Sequence, residues 1–226
     1  MKYKYILCDA DDTLLDFAAA ERQAFKETCM AFDVCDSDDI YARYHEINDS
    51  HWKKLELGLT TRDRLLVERY IELFTETGLL PVSNAQEFSR IYLGNISHQR
   101  QLLPGVTETL EKLSFDYEIY IITNGTAQAQ HGRLDGSPVM NHVKRHFISE
   151  EIGAAKPSAD FFRFVIENIG DPDLGSYLVV GDSPTSDIKG ALNFGLDSCL
   201  VTNGKEYKNY GQTYTIGCIS EIFEIL

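Results

Sequence analysis

Four short polar clusters in this sequence each follow an apolar run and combine residue types that handle charge. The first is Asp9-Ala10-Asp11-Asp12-Thr13. Residues i and i+2 of an extended chain share a side, so Asp9 and Asp11 can face one pocket while Ala10 points away. Two carboxylates in one site can divide labour, one ionised as nucleophile or metal ligand and the other protonated as an acid. The alternative is an acidic loop or helix start, because Asp and Thr are good N-caps. The second cluster, Thr123-Asn124-Gly125, offers a hydroxyl, an amide and backbone N–H groups ahead of a helix, the makings of an anion site. Asn-Gly is equally a common turn pair. The third is Lys156-Pro157, where the Pro suits a first helical turn. Lys156 just before it can neutralise phosphate oxygens, or can be a solvated surface group like most lysines. The fourth is Gly181-Asp182-Ser183-Pro184-Thr185-Ser186-Asp187. Ser183 can cap a helix that Pro184 opens, and Asp182 and Asp187 can then aim at one cation. A capped helix with an incidental Asp is the competing reading.

The elements around these clusters set where they can act. Residues 3–8 read as a buried strand ending at Asp9. Residues 17–100 read as helical, with Ile40, Tyr44 and Ile47 on one face and Leu66, Tyr70, Leu73 and Phe74 on another. Thr60, Thr61 and Asp63 can begin one of these helices, and Gly78 with Pro81 can end it. After Pro104-Gly105, helices at 106–113, 158–168 and 184–194 alternate with strands at 117–122, 147–149, 177–180 and 198–201. Ile188, Ala191, Leu192 and Gly195 form the packing face of the last of these helices, and a terminal helix is expected at 219–226. Such alternation predicts an α/β fold with a parallel sheet, in which ligands bind outside the carboxyl ends of the strands. All four clusters fall at such ends. The expected division is a core of residues 1–16 and 101–226 with an inserted helical domain at 17–100.

The chain has 226 residues, with 35 acidic and 21 basic, and a net charge of −14. A pI near 4.8 argues against a nucleic-acid polymer, which needs a basic face, and against an anionic membrane surface. No apolar run approaches the roughly 18 residues of a membrane span. Asp9, Asp11 and Asp12 interrupt any signal-peptide core. Cys8, Cys29, Cys35, Cys199 and Cys218 are scattered and form no Cys-x-x-Cys pair, so neither a disulfide framework nor a thiolate zinc site is expected. A reducing, cytoplasmic setting fits. So acidic a chain can still handle phosphate if a metal cation supplies the missing positive charge.

Taken together and in this order, the four clusters closely resemble the four motifs of the haloacid dehalogenase-like (HAD) superfamily of hydrolases. The helical block after the first motif resembles the superfamily's C1-type cap. The resemblance implies a Rossmann-like core with a mobile cap, hinged near Thr13–Phe17 and Ser97–Pro104. It implies that Asp9 is the nucleophile that attacks phosphorus and forms an aspartyl-phosphate. Asp11 would protonate the leaving group and then activate water, its carbonyl also serving the metal. Thr123, Asn124 and Lys156 would hold phosphate. Mg²⁺ would be the cofactor, with Asp9, Asp11 and Asp182 as ligands and Asp187 either a ligand or a support for one. Asp11 argues against a dehalogenase, since the dehalogenases of the superfamily lack an acid at that position. Asp12 departs from the commonest pattern, which has Gly there.

Asp-Ala-Asp-Asp-Thr, Phe17, and the segment Asn48, His51, Trp52, Leu55, Gly58 with Arg69-Tyr70 resemble the branch of pyrimidine 5′-nucleotidases. The expectation is therefore a Mg²⁺-dependent phosphatase of small phosphate monoesters, acting on nucleoside 5′-monophosphates. Alternatives are a sugar-phosphate phosphatase or phosphomutase on the same scaffold, and a non-enzymatic phospho-aspartate switch. Phe17 or Trp52 can wall a nucleobase, or both can pack between helices. Arg62, Arg64 and Arg69 can contact substrate or be surface charges. His142 and His146, spaced i, i+4, can share a helix face, but no third metal ligand is evident and the segment reads as exposed. Cys8 reads as a core residue. Nothing in the sequence sets the oligomeric state.

Overall fold

The computed structural model describes residues 2–226. Its principal elements are β1 (Tyr5–Cys8), α1 (Phe17–Ala31), α2 (Asp38–Glu56), α3 (Arg62–Thr77), α4 (Ala85–Ser97), α5 (Val106–Leu113), β2 (Glu118–Thr123), α6 (Ala127–Leu134), β3 (Arg145–Ile148), α7 (Ser149–Ile152), α8 (Ala159–Ile169), β4 (Tyr177–Gly181), α9 (Lys189–Phe194), β5 (Asp197–Val201) and β6 (Tyr214–Ile216). They divide into two compact units. One comprises Met1–Phe17 with Arg100–Leu226, the other Ala18–Gln99.

The first unit is a six-stranded, all-parallel sheet of order β3-β2-β1-β4-β5-β6 flanked by helices, the Rossmann-like α/β class expected. Side chains alternate across the sheet with period two. Ile6 and Cys8 share one face with Ile119, Ile121, Leu178 and Val180, where α5 adds Val106, Leu110 and Leu113. Tyr5 and Leu7 share the other with Ile122 and Val179, covered by Phe161, Phe162 and Val165 of α8. Burial on both faces explains why these strands read as continuous apolar runs. In the centre, Cys8 pairs with Ile121 on one side and Val180 on the other. The residues that follow β1, β2 and β4 therefore emerge side by side at one edge.

Several local expectations change. β1 begins at Tyr5 rather than at residue 3, and the Tyr3 hydroxyl bonds Asp197 and Tyr214. The strand β6 is only three residues long, too short for a periodic signal. The expected helix 184–194 opens as a π-type turn, Pro184–Ile188, before α9. Ile188 and Ala191 are buried as expected, but Leu192 is 40% exposed. The terminal helix is a 3₁₀ segment, Ile219–Glu224. Residues 142–146 are not helical: His146 lies on β3.

In the second unit, Ser37 opens α2 by accepting from the Ile40 N–H, and Gly78 closes α3 at a φ of 68° that glycine adopts without strain. At its centre Tyr44 stacks on Phe25 and Tyr70, and Phe88 packs tilted against Phe25 and Tyr70. The buried stripe of α3 runs through Leu65 rather than Leu66 and includes Arg69. Arg69 is therefore not a surface charge. Its Nη1 donates to Asn48 Oδ1 (2.6 Å), and Asn48 Nδ2 donates to the buried Glu21 (2.7 Å). Tyr70 and Tyr92 rings lie 4.7 and 5.0 Å from the guanidinium. A nearby carboxylate and two π faces make that burial tolerable. Trp52 is half-buried on α2. Among the described residues, no helix is long and apolar enough to cross a membrane.

Candidate active site

Lys156 is the pivot. It is 1% exposed, and its Nζ donates to Asp9 Oδ1 (2.5 Å), Asp187 Oδ1 (2.7 Å) and the Ile122 carbonyl (2.9 Å). All three ammonium protons are thereby used. The backbone of Lys156 is fixed from the next loop. Asn124 Nδ2 donates to the Lys156 carbonyl (2.8 Å), and Asn124 Oδ1 accepts from its N–H (2.9 Å). Asn124, expected to hold an anion, thus commits both ends of its amide to placing the lysine. Thr123 is buried at the end of β2, and its hydroxyl accepts from the Gly125 N–H (3.1 Å). Its own proton stays available for an acceptor.

Asp9 follows β1, and its N–H donates to the Val180 carbonyl (2.8 Å). Ligand oxygens of Asp9, Asp182 and Asp187 lie within 4.8 Å of one another. The π-type turn makes this possible. Both the Asp187 and Ile188 N–H groups bond back to the Ser183 carbonyl, and the Ser183 hydroxyl accepts from the Ser186 N–H. This wide turn swings Asp187 back onto the strand end, where its Oδ2 accepts from the Ser183 N–H (3.1 Å). Gly181 is required by the approach: a Cβ there would sit 2.2 Å from Asp187 Oδ2.

Three carboxylates share one ammonium, and the electrostatics record the shortage. Burial, reinforced by Asp187 and Asp182, holds the Asp9 carboxyl well above its ordinary range despite Lys156. Burial likewise pushes Asp182 up to about 8, with Asp187 and Asp12 adding to it. Burial pulls the Lys156 pKa down, but Asp187 and Asp9 outweigh it and hold Lys156 above the usual lysine value. A hard divalent cation with oxygen ligands fits this donor set. Asp9 and Asp182 have carboxylate oxygens to spare for it, whereas Asp187 Oδ1 already accepts from Lys156 and Oδ2 from the Ser183 N–H.

The Asp11 side chain lies outside that trio. It is 26% exposed and is held by α6. Gln130 Nε2 donates to Asp11 Oδ2 (2.7 Å), and Arg133 Nη1 pairs with Asp11 Oδ1. Neither residue was singled out in the sequence. The available signal was their spacing of three, which puts both on one face of the helix that follows Thr123-Asn124-Gly125. Gly125 makes room for Gln130, since a Cβ there would lie 2.2 Å from Gln130 Nε2. The Phe17 ring lies 5.6 Å from the Arg133 guanidinium, so it braces the residue that holds Asp11. Asp12 adopts a φ of 54°, a left-handed conformation that Gly takes freely and Asp tolerates. Its Oδ1 accepts from the Phe17 N–H (3.1 Å), and Asn203 holds its carbonyl (2.5 Å). Cys8 is fully buried and burial pushes its thiol up, as befits a core residue. Trp52 belongs to the helical unit.

Comparison with known proteins agrees with this construction. The HAD-hydrolase YfnB of Bacillus subtilis is 32% identical over all of this chain and 96% of its own. A crystal structure of YfnB bound to magnesium superposes with a TM-score of 0.94, covering 100% of this chain and 99% of that one. The pyrimidine 5′-nucleotidase PynA of Streptococcus pneumoniae is also 32% identical, over 100% of this chain and 96% of its own. The pyrimidine 5′-nucleotidase YjjG of Escherichia coli is 27% identical, over 100% and 99%. Residues 3–195, which contain Asp9, Thr123, Lys156, Asp182 and Asp187, match the family model of the haloacid dehalogenase-like hydrolases, and the chain belongs to that family.

Proposed function

We propose that the protein is a Mg²⁺-dependent phosphatase that hydrolyses pyrimidine nucleoside 5′-monophosphates through an aspartyl-phosphate. The observation that carries the chemistry is the buried Asp9 carboxylate, held by Lys156 and set beside Asp182 and Asp187 at the ends of adjacent central strands. Asp9, Asp182 and the Asp11 carbonyl would hold Mg²⁺, with Asp187 orienting Lys156. A bound Mg²⁺ would supply the positive charge this site lacks and draw charge from the transferring phosphoryl group.

Asp9 attacks phosphorus, the ester P–O bond breaks, and the leaving oxygen takes a proton from Asp11. Water then attacks the aspartyl-phosphate, Asp11 accepts its proton, and Asp9 leaves as a carboxylate. Gln130 and Arg133 donate to the two carboxyl oxygens of Asp11 and so hold it in place for both proton transfers. Lys156 keeps Asp9 aimed, and the Thr123 hydroxyl and nearby backbone N–H groups receive phosphoryl oxygens.

The substrate choice rests on the pyrimidine 5′-nucleotidases among the relatives and on the Asp9–Thr13 motif. We assign the helical unit, Ala18–Gln99, the role of a cap that closes over bound substrate, with Trp52 as an aromatic wall for the base. The test is phosphate release with Mg²⁺ from dUMP, dTMP, UMP, AMP and a panel of sugar phosphates. Pyrimidine nucleotides are expected to give the highest kcat/KM. Equal or better turnover of sugar phosphates would overturn the substrate assignment and leave the chemistry standing.

A further inference from the structure

A second group of ligating side chains lies on the first unit, away from the acidic trio. His131 is on α6, Asp135 caps that helix, and His146 is on the edge strand β3. One ligand atom of each lies within 4.8 Å of the other two. The two imidazole rings sit 5.1 Å apart, nearly perpendicular. His131 Nδ1 lies 3.4 Å from Asp135 Oδ2, while its Nε2 is 2.7 Å from Glu151 Oε1 on α7. His146 Nδ1 is a buried nitrogen with no hydrogen-bond partner among the described residues.

We propose that His131, Asp135 and His146 form a binding site for a borderline divalent transition ion of the Zn²⁺ class, separate from the Mg²⁺ centre. Three features converge on it. The donor set, two imidazoles and a carboxylate, is the one such ions take, and one that hard Mg²⁺ does not prefer. His146 offers a ring nitrogen to the group, and no hydrogen bond occupies its buried Nδ1. Glu151 accepts from the far nitrogen of His131, the arrangement that fixes tautomer and ring orientation in histidine–metal sites and leaves Nδ1 as the coordinating atom. Tetrahedral donors at about 2.0–2.2 Å from an ion are roughly 3.3–3.6 Å apart. The His131 Nδ1–Asp135 Oδ2 distance of 3.4 Å already matches that spacing, and the other separations, at most 4.8 Å, need to close by at most about 1.5 Å, within the reach of side-chain rotations of the half-buried His131 and exposed Asp135. Solvent completes the shell. The ion would tie α6 to β3, and α6 is the helix that presents Gln130 and Arg133 to Asp11. His142, the residue whose spacing first suggests a pair with His146, plays no part.

The test is Zn²⁺ binding by equilibrium dialysis in saturating Mg²⁺, which keeps the acidic trio occupied, with Co²⁺ absorption as a second readout. The full-length wild type is expected to bind one equivalent and show the d–d bands of a four- or five-coordinate nitrogen–oxygen site. His146→Ala and the exposed Asp135→Asn are each expected to lose that equivalent while retaining wild-type circular dichroism and Mg²⁺-supported phosphate release. Glu151→Gln should weaken binding about 10–100-fold, and His142→Ala should not change it. The proposal is overturned if wild type takes up no more Zn²⁺ than a His146→Ala/Asp135→Asn double variant, or if uptake disappears only when the thiols are blocked.

Discussion

Lys156→Met removes the one ammonium that Asp9 and Asp187 share, with little change in volume. Three acceptors lose their donor at once: Asp9 Oδ1, Asp187 Oδ1 and the Ile122 carbonyl. Breaking a buried ion pair from one side costs about 3–5 kcal/mol, because a charge is left unpaired. Here two carboxylates remain, but Asp9 already has a raised proton affinity and takes up a proton, which keeps the loss within that range. In a chain of this length about 1 kcal/mol corresponds to roughly 2–4 °C, so the metal-free variant is expected to melt about 6–20 °C below wild type. Mg²⁺ should return part of the loss, about 2.7 kcal/mol at a hundredfold excess over its dissociation constant. The double variant Lys156→Met/Asp187→Asn removes both sides of one pair and should recover much of the remainder, a coupling that a thermodynamic cycle isolates. The assay is thermal unfolding of wild type, Lys156→Met, Asp187→Asn and the double variant at neutral pH with chelator and then with Mg²⁺. If Lys156→Met melts with wild type, or the double variant is no better than the single, the charge-balance account of this site is wrong.

Other consequences are more local. Gly125→Ala places a methyl group where Gln130 passes, so kcat should fall about tenfold or more with KM little changed, while the melting temperature drops only slightly. Equal kcat would mean that Gln130 does not position Asp11. The metal-free protein should lose stability as pH rises from about 4 to about 8. Over that window the folded Asp182, with a pKa raised from 3.8 to about 8, keeps a proton that the unfolded chain has released. Asp182→Asn should flatten the profile in chelator and abolish its restoration by Mg²⁺, and an unchanged profile would refute the assignment. Arg133→Met should loosen Asp11 and lower kcat about tenfold or more with KM little changed, with circular dichroism unchanged. A kcat equal to wild type would remove Arg133 from the mechanism.

The strand-end clusters were legible because each is a local event. An apolar run stops, and a short string of Asp, Thr, Asn or Lys begins where a parallel sheet presents its carboxyl edge. Lys156 and Asp9 are 147 residues apart, yet each carries its own signal. Gln130 and Arg133 do not, because a polar pair on a short helix looks like any solvated face until the sheet delivers Asp11 to it. Asn124 was visible as a polar group, but its two bonds to the Lys156 backbone depend on a loop that only tertiary structure brings near. Arg69 was misread for the same reason: Glu21 and Asn48, which make its burial tolerable, lie on other helices. The π-type turn escaped notice since Ser183-Pro184 opens an α-helix as well as a wide turn, and only the approach of Asp187 to Gly181 separates the two.

The central claim is that Asp9 carries the phosphoryl group. The most direct measurement is rapid-quench mass spectrometry of the Asp11→Asn variant mixed with Mg²⁺ and a pyrimidine nucleoside monophosphate, alongside Asp9→Asn. The expected result is one phosphoryl group on the peptide containing Asp9 in the first variant, none in the second, and no steady-state phosphate release from Asp9→Asn. Phosphate release at near wild-type rate from a folded Asp9→Asn protein would contradict the account.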